Sequence, residues 1–232
     1  MNSSVCYVFG AGERCIYPPE PRRGDLIISA DAGFEYACEE GLVSDWITGD
    51  FDSLDKVPDH NNIIALSPEK DETDMLAALK IGLSEGRRIF YIYGSLGGRF
   101  DHSYANIQCL SYLLCRGAEG ILFGAGTGIT LLKNGSLTFS SSFSGDISVF
   151  SWGCRAEGVS LRGFKYPLSD AVLTDSFPLG VSNRFTGTEC TAEVKKGTLM
   201  IVFPLISGSE LPARTAEHSI KKQNPVLPED WA

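Results

Sequence analysis

The 232-residue sequence predicts an α/β fold, a mostly parallel α/β sheet domain at the N-terminus followed by a small antiparallel β-sandwich domain. Three observations carry this. Short apolar runs in the first half each stop at Gly, Ser, Asp or Thr. Helical periodicity fills several of the gaps between them. Beyond Gly126 the helical period disappears, and short strand-like runs alternate with turn residues.

The apolar runs lie at 5–9, 26–29, 46–48, 63–66, 89–93 and 121–123. Continuous runs of this length suit strands buried on both faces of a parallel sheet. A helix over 34–40 follows Asp31 and stops at Gly41. A second over 74–83 puts Met75, Leu76, Leu79 and Leu83 on one face, with Asp71 and Asp74 placed as N-cap and first-turn acid. A third over 102–115 carries Ile107, Leu110, Leu113 and Leu114, and Gly117 supplies its C-cap. Strand–helix alternation of this kind gives α/β architecture.

Past Gly126, the runs at 130–133 and 136–139 flank Asn134-Gly135, which predicts a hairpin with a type I′ turn. Further strands are expected at 147–152, 159–164, 171–175, 191–195 and 198–203. The expected organisation is therefore an α/β domain over 1–133, a β-sandwich domain over 134–207 and a polar tail over 208–232. The tail, with three Pro, reads as a surface wrap or a partly disordered segment.

Composition sets limits on function. Hydrophobic residues make up 43% and charged residues 21%, the mix of an ordinary soluble protein. No apolar run is long enough to cross a bilayer, and the first residues lack a basic segment followed by an apolar one. The reading is a cytoplasmic protein with no membrane role. The seven Cys are scattered without a Cys-x-x-Cys pair, so they read as reduced core thiols. A net charge of −9 argues against nucleic acid as a partner.

The chemistry gathers at the strand ends. In open α/β sheets, ligands bind beyond the carboxyl ends of the strands. Here those ends read Asp31-Ala32-Gly33, then Gly49-Asp50-Phe51-Asp52-Ser53, then Lys70-Asp71-Glu72-Thr73-Asp74, then Gly97-Gly98-Arg99-Phe100-Asp101-His102. Asp50 and Asp52 are two apart, so extended backbone points both carboxylates the same way. So many carboxylates in one crevice need counter-charge. Lys70 and Arg99 supply some, and Mg2+, a hard cation shared between carboxylates and phosphates, would supply more. Gly97 and Gly98 let backbone approach a phosphate. His102 starts a helix, where the dipole favours a neutral imidazole. Metal, basic groups and a proton acceptor are the parts of a phosphoryl-transfer site. Gly10-Ala11-Gly12 only begins like a dinucleotide fingerprint, and no Gly-x-x-x-x-Gly-Lys-Ser/Thr loop occurs. A metal-dependent phosphoesterase and a non-catalytic nucleotide sensor remain open on the residues alone.

In this order the motifs resemble those of the thiamine pyrophosphokinase family. In the second half, Leu161-Arg162-Gly163-Phe164-Lys165-Tyr166-Pro167-Leu168 and Gly180-Val181-Ser182-Asn183 are similar to that family's thiamine-binding domain. The resemblance implies a homodimer that binds ATP and Mg2+ in the acidic crevice. It also implies that thiamine lies between one subunit's crevice and the other's sandwich. By matching position, Asp50, Asp52 and Asp74 resemble the metal-linked catalytic carboxylates, with Arg99 beside them. Asp31, Lys70, Asp71, Thr73, Arg99, Asp101 and His102 would contact nucleotide, and Ser182, Asn183 and Phe185 or a nearby aromatic would contact thiamine. The implied reaction moves the terminal pyrophosphate of ATP to the hydroxyl of thiamine and releases AMP.

Overall fold

A computed structural model describes residues 4–50, 60, 62–66 and 72–215. Asp52, Lys70 and Asp71 lie outside the described residues. The chain runs β1 (Val5–Phe9), β2 (Leu26–Ala30), α1 (Gly33–Glu39), β3 (Trp46–Gly49), β4 (Ile63–Ala65), α2 (Asp74–Ser84), β5 (Ile89–Tyr93), α3 (Phe100–Cys115) and β6 (Glu119–Phe123). It continues with β7 (Thr127–Phe139), β8 (Asp146–Ser151), β9 (Ala156–Arg162), β10 (Leu168–Leu173), β11 (Asn183–Arg184), β12 (Cys190–Pro204) and β13 (Ala213–Thr215). No helix among the described residues is long and apolar enough to cross a membrane.

The first half forms parallel pairs in the order β6-β5-β1-β2-β3-β4. The chain steps outward from β1 to β4, then returns to β5 on the other side. The crevice between the ends of β1 and β5 is thus the topological switch point, where such sheets bind ligands. Helices α1, α2 and α3 each end on a glycine at positive φ: Gly41, Gly86 and Gly117. At α3, Gly117 N–H donates to Leu114 C=O (3.2 Å) and Ala118 N–H to Leu113 C=O (2.9 Å), the paired bonds of a Schellman ending. At the start of α2 the cap is Thr73, whose hydroxyl accepts from Leu76 N–H (3.2 Å), and not Asp71 as expected. Asp74 is the first-turn acid, as its spacing predicts.

The two faces of this sheet are covered differently. Cys6, Val8, Ile28, Phe90, Ile92 and Leu122 pack beneath α2 and α3. On the other face, Tyr7, Phe9, Tyr93 and Phe123 lie under α1 and the helix-free connection from β1 to β2. Tyrosine hydroxyls hold that connection. Tyr7 donates to Glu20 C=O (3.1 Å) and Tyr93 to Pro18 C=O (3.4 Å), while Tyr36 accepts from Cys15 N–H (2.8 Å).

The expected hairpin at Asn134-Gly135 is absent, because β7 runs straight through these residues. The expected strands at 191–195 and 198–203 likewise form the single strand β12. Val194 pairs with Gly135 and Thr198 with Lys133, so Lys195, Lys196 and Gly197 bulge opposite Asn134. Asn134 has φ 45°, and its side-chain oxygen accepts from Gly197 N–H (3.0 Å). A left-handed Asn suits a bulge as well as a turn.

β7 and β12 thereby join both halves into one 13-stranded sheet. At one end they are flanked by β6 and β8, and at the other by β13 and β9. The antiparallel half encloses Phe139, Phe143, Phe164, Phe185 and Phe203, in one core continuous with Phe9, Tyr93 and Phe123. Within the tail, β13 pairs with β7, and Arg214 reaches Glu119 (3.0 Å) and Leu131 C=O (2.8 Å).

All seven cysteines are free thiols, but only Cys6, Cys109 and Cys190 are buried; Cys38, Cys115 and Cys154 are exposed. This corrects the reading of every Cys as a core thiol. Cys115 ends α3, where the helix turns its last residue outward. Burial pushes the Cys109 thiol up to about 11.

Candidate functional site

Close backbone packing brings the strand-end loops together. A Cβ on Gly10 would lie 2.7 Å from the Met75 side chain and 2.8 Å from Gly94 C=O, so the end of β1, the start of α2 and the loop after β5 meet there. Gly12 fits as tightly, 2.6 Å from Gly94 C=O by the same measure, and its N–H donates to that oxygen (2.7 Å). Gly10-Ala11-Gly12 is therefore a packing element between two site loops. A Cβ on Gly33 would overlap the Phe9 carbonyl oxygen, so the Asp31 turn is held against β1. A Cβ on Gly49 would sit 3.0 Å from the Asp31 Cα, so Asp50 follows a residue in contact with Asp31.

Asp31 takes φ 50° and donates its N–H to Thr48 C=O (2.7 Å). Asp31, Asp50 and Asp74 are each half-buried at this edge. Thr73 caps α2 beside them. Among the described residues, no three His, Cys, Asp or Glu side chains gather closely enough to hold a metal ion by themselves.

The loop after β5 is fixed through its carbonyls. Gly94 C=O accepts from Gly12 N–H and Leu96 C=O from Glu13 N–H (3.0 Å). Ser95 C=O accepts from the Asn106 side chain (2.7 Å), and Gly97 C=O from the Ser103 hydroxyl (3.4 Å). Gly97 and Gly98 both have positive φ, and the Glu13 side chain lies against Gly97. Glu13, Ser95 and Asn106 were not singled out from the sequence. Their signal was weak, since each stands outside a recognisable motif.

Arg99 is the N-cap residue of α3. Its guanidinium donates to both Asp101 oxygens, at 3.1 and 2.5 Å, with both side chains exposed. This hydrogen bond holds the Asp101 carboxyl below its usual range and raises Arg99. His102 is exposed on the same turn.

The second group of candidates lies in the antiparallel half. The segments 163–168 and 180–185 are tied together there. Asn183 is 4% exposed, and its side-chain oxygen accepts from Tyr166 N–H (3.0 Å) and Arg184 N–H (2.8 Å). Its amide donates to Tyr166 C=O (2.7 Å). Lys165 N–H donates to Arg184 C=O (2.9 Å), and the Thr186 hydroxyl to Gly163 C=O (2.6 Å). Ser182 is exposed at φ 55°. Phe185, 6% exposed, packs on Phe139, Phe143 and Phe164, whereas Tyr166 and Phe177 are exposed.

Comparison with known proteins follows the same division. Residues 21–120 match the model of the thiamin pyrophosphokinase catalytic domain, and residues 136–199 that of the thiamin pyrophosphokinase vitamin B1 binding domain. A thiamine pyrophosphokinase of Bacillus subtilis (strain 168) is 28% identical over 185 residues, covering 76% of this chain and 86% of the relative. A crystal structure of thiamine pyrophosphokinase from Bacillus subtilis superposes with a TM-score of 0.77 at 25% identity, over 87% of this chain and 99% of that one. The yeast thiamin pyrophosphokinase structure shares the fold at a TM-score of 0.68 and 16% identity, over 88% of this chain and 87% of that one. With both domain models matched in order and the site loops in place, this chain belongs to the thiamine pyrophosphokinase family.

Proposed function

We propose that this chain transfers the terminal pyrophosphate of ATP to the hydroxyl of thiamine, giving thiamine pyrophosphate and AMP, in the cytoplasm. The observation that carries the reading is that Asp31, Asp50, Asp74 and Arg99 all follow parallel strands at the same edge of the sheet, with the end of β1, the start of α2 and the loop after β5 packed together there.

The donor chemistry fits Mg2+, which typically takes one or two protein carboxylates and completes its shell with phosphate and water. Asp50 and Asp74, with Asp52 outside the described residues, would hold it. When bound, Mg2+ supplies charge neutralisation at the phosphate oxygens.

The nucleophile is a primary alcohol and needs a proton acceptor near neutral pH. We assign Asp50 that role, typically worth about 10²–10⁴-fold in rate. Attack falls on the β-phosphorus, since pyrophosphate moves intact. Arg99 and Lys70 would share the charge that develops on the phosphates. Asp101 holds the Arg99 fork in place, and the tied carbonyls of the 94–97 loop keep that loop rigid as substrate arrives. Asp31, Asp71, Thr73 and His102 would complete the nucleotide contacts. Ser182 would meet thiamine, with Asn183 and Phe185 shaping its loop from beneath. Exposed Phe177, Leu179 and Val181 beside Ser182 support a second copy of the chain closing over the site, as a homodimer.

The test is product analysis with ATP, Mg2+ and thiamine. Equimolar AMP and thiamine pyrophosphate, absent on chelation, are expected. ADP with thiamine monophosphate would overturn the transfer chemistry. Phosphate released without thiamine would favour a hydrolase.

A further inference from the structure

Phe100 is the first residue of α3, between Arg99 and Asp101, and it is 80% exposed. A lone exposed phenylalanine would need no explanation, since only contiguous apolar surface is informative. It does not stand alone. Its ring lies 6.3 Å from that of Tyr104, tilted by 37°, and Tyr104, itself 45% exposed, lies 6.0 Å from Trp152. Trp152 is anchored in turn by its indole N–H, which donates to the Ser111 hydroxyl (2.6 Å). The three rings form a buttressed ladder along α3, and it ends in an open aromatic face at the mouth of the crevice.

The neighbouring groups indicate what that face meets. Arg99, Gly97, Gly98 and the N-terminus of a 16-residue helix suit phosphate oxygens. A ligand held there by phosphate has the rest of its body within reach of residue 100. Aromatic side chains beside phosphate-binding groups favour flat nitrogen heterocycles, which stack on them. Both substrates of the proposed reaction carry one: the adenine of ATP and the aminopyrimidine of thiamine.

We propose that Phe100, backed by Tyr104 and Trp152, is the platform on which the flat heterocycle of one of these substrates stacks, so that it sets affinity for that substrate and not the rate of transfer. This rests on the reaction proposed above. The full-length chain is compared with F100A and F100Y. For each, KM for ATP, KM for thiamine and kcat are measured, with ATP and thiamine binding by calorimetry and assembly mass by light scattering.

The expected result for F100A is a rise of about tenfold in one KM and the matching Kd, the other substrate and kcat staying within about twofold. F100Y restores the affinity. The substrate affected identifies the heterocycle. Unchanged affinity for both, or a fall in kcat alone, overturns the proposal. So does a loss of affinity that tracks a change in assembly mass, which would place Phe100 between copies of the chain. An inactive parent chain would refute the reaction, yet the calorimetric comparison would still decide the ring contact.

Discussion

In the parallel half of the sheet, Asp31, Asp50 and Asp74 stand half-buried beyond the ends of neighbouring strands, at one edge. In the antiparallel half, Asn183, Ser160 and Thr186 turn onto backbone groups of adjacent segments. The contrast follows from connectivity. Parallel strands of three to five residues all deliver their loops to the same side, so polar residues accumulate there. Antiparallel strands send alternate loops to opposite ends, and their side chains are needed locally to hold the turns. One half therefore offers reactive groups, and the other offers a shaped, rigid surface.

The sharpest way to break this contrast is Asp50→Asn. It keeps size and removes the charge, so turnover should fall about 10²–10⁴-fold while the melting temperature stays within about 2 °C. A large drop in melting temperature with normal turnover would make Asp50 structural. The reverse pattern is expected for Asn183→Ala, which leaves Tyr166 N–H and C=O without their side-chain partner. Stability should fall by about 1–3 kcal/mol by urea titration, and thiamine KM should rise more than ATP KM.

A third prediction concerns pH. Burial raises the Tyr7 and Tyr93 hydroxyls above their ordinary pKa, so the folded chain keeps them protonated when the unfolded chain does not. A raised folded pKa gives stability that is complete below the unfolded value of about 10 and is lost as pH rises beyond it. The urea midpoint should be level up to about pH 9 and fall by about pH 11, less steeply in Tyr93→Phe. The smallest effect is Gly86→Ala. It forces a side chain to φ 78° at the end of α2, where nothing crowds it, and should cost about 1 kcal/mol without touching kinetics.

The same contrast explains what the sequence disclosed. In the parallel half, β1 and β5 fall where continuous apolar runs put them, and α1 and α3 end at Gly41 and Gly117, the glycines that the pattern marks. Those signals are local, because a buried strand must be apolar and a helix end needs a left-handed residue. In the antiparallel half, β7 and β12 were each read as two strands. Asn134-Gly135 has the chemistry of a turn, and only pairing with residues some sixty positions away makes it a bulge. The helix-free connection over β1 was illegible for a related reason: what holds it is tyrosine hydroxyls from β1, β5 and α1, not its own propensity.

The site divides likewise. Acidic strand ends declared themselves by composition. The supporting contacts of Glu13 and Asn106 depend on how two loops pack, and the burial of Phe185 depends on a core assembled from several strands.

The central claim is that pyrophosphate moves as a unit in the crevice of the parallel half. It is tested most directly with ATP radiolabelled at the β- or the γ-phosphorus in separate reactions with thiamine and Mg2+. Both labels should appear in the thiamine product in equal yield, with unlabelled AMP left behind. Appearance of the γ label alone in the thiamine product, or of either label only in free phosphate, would contradict it.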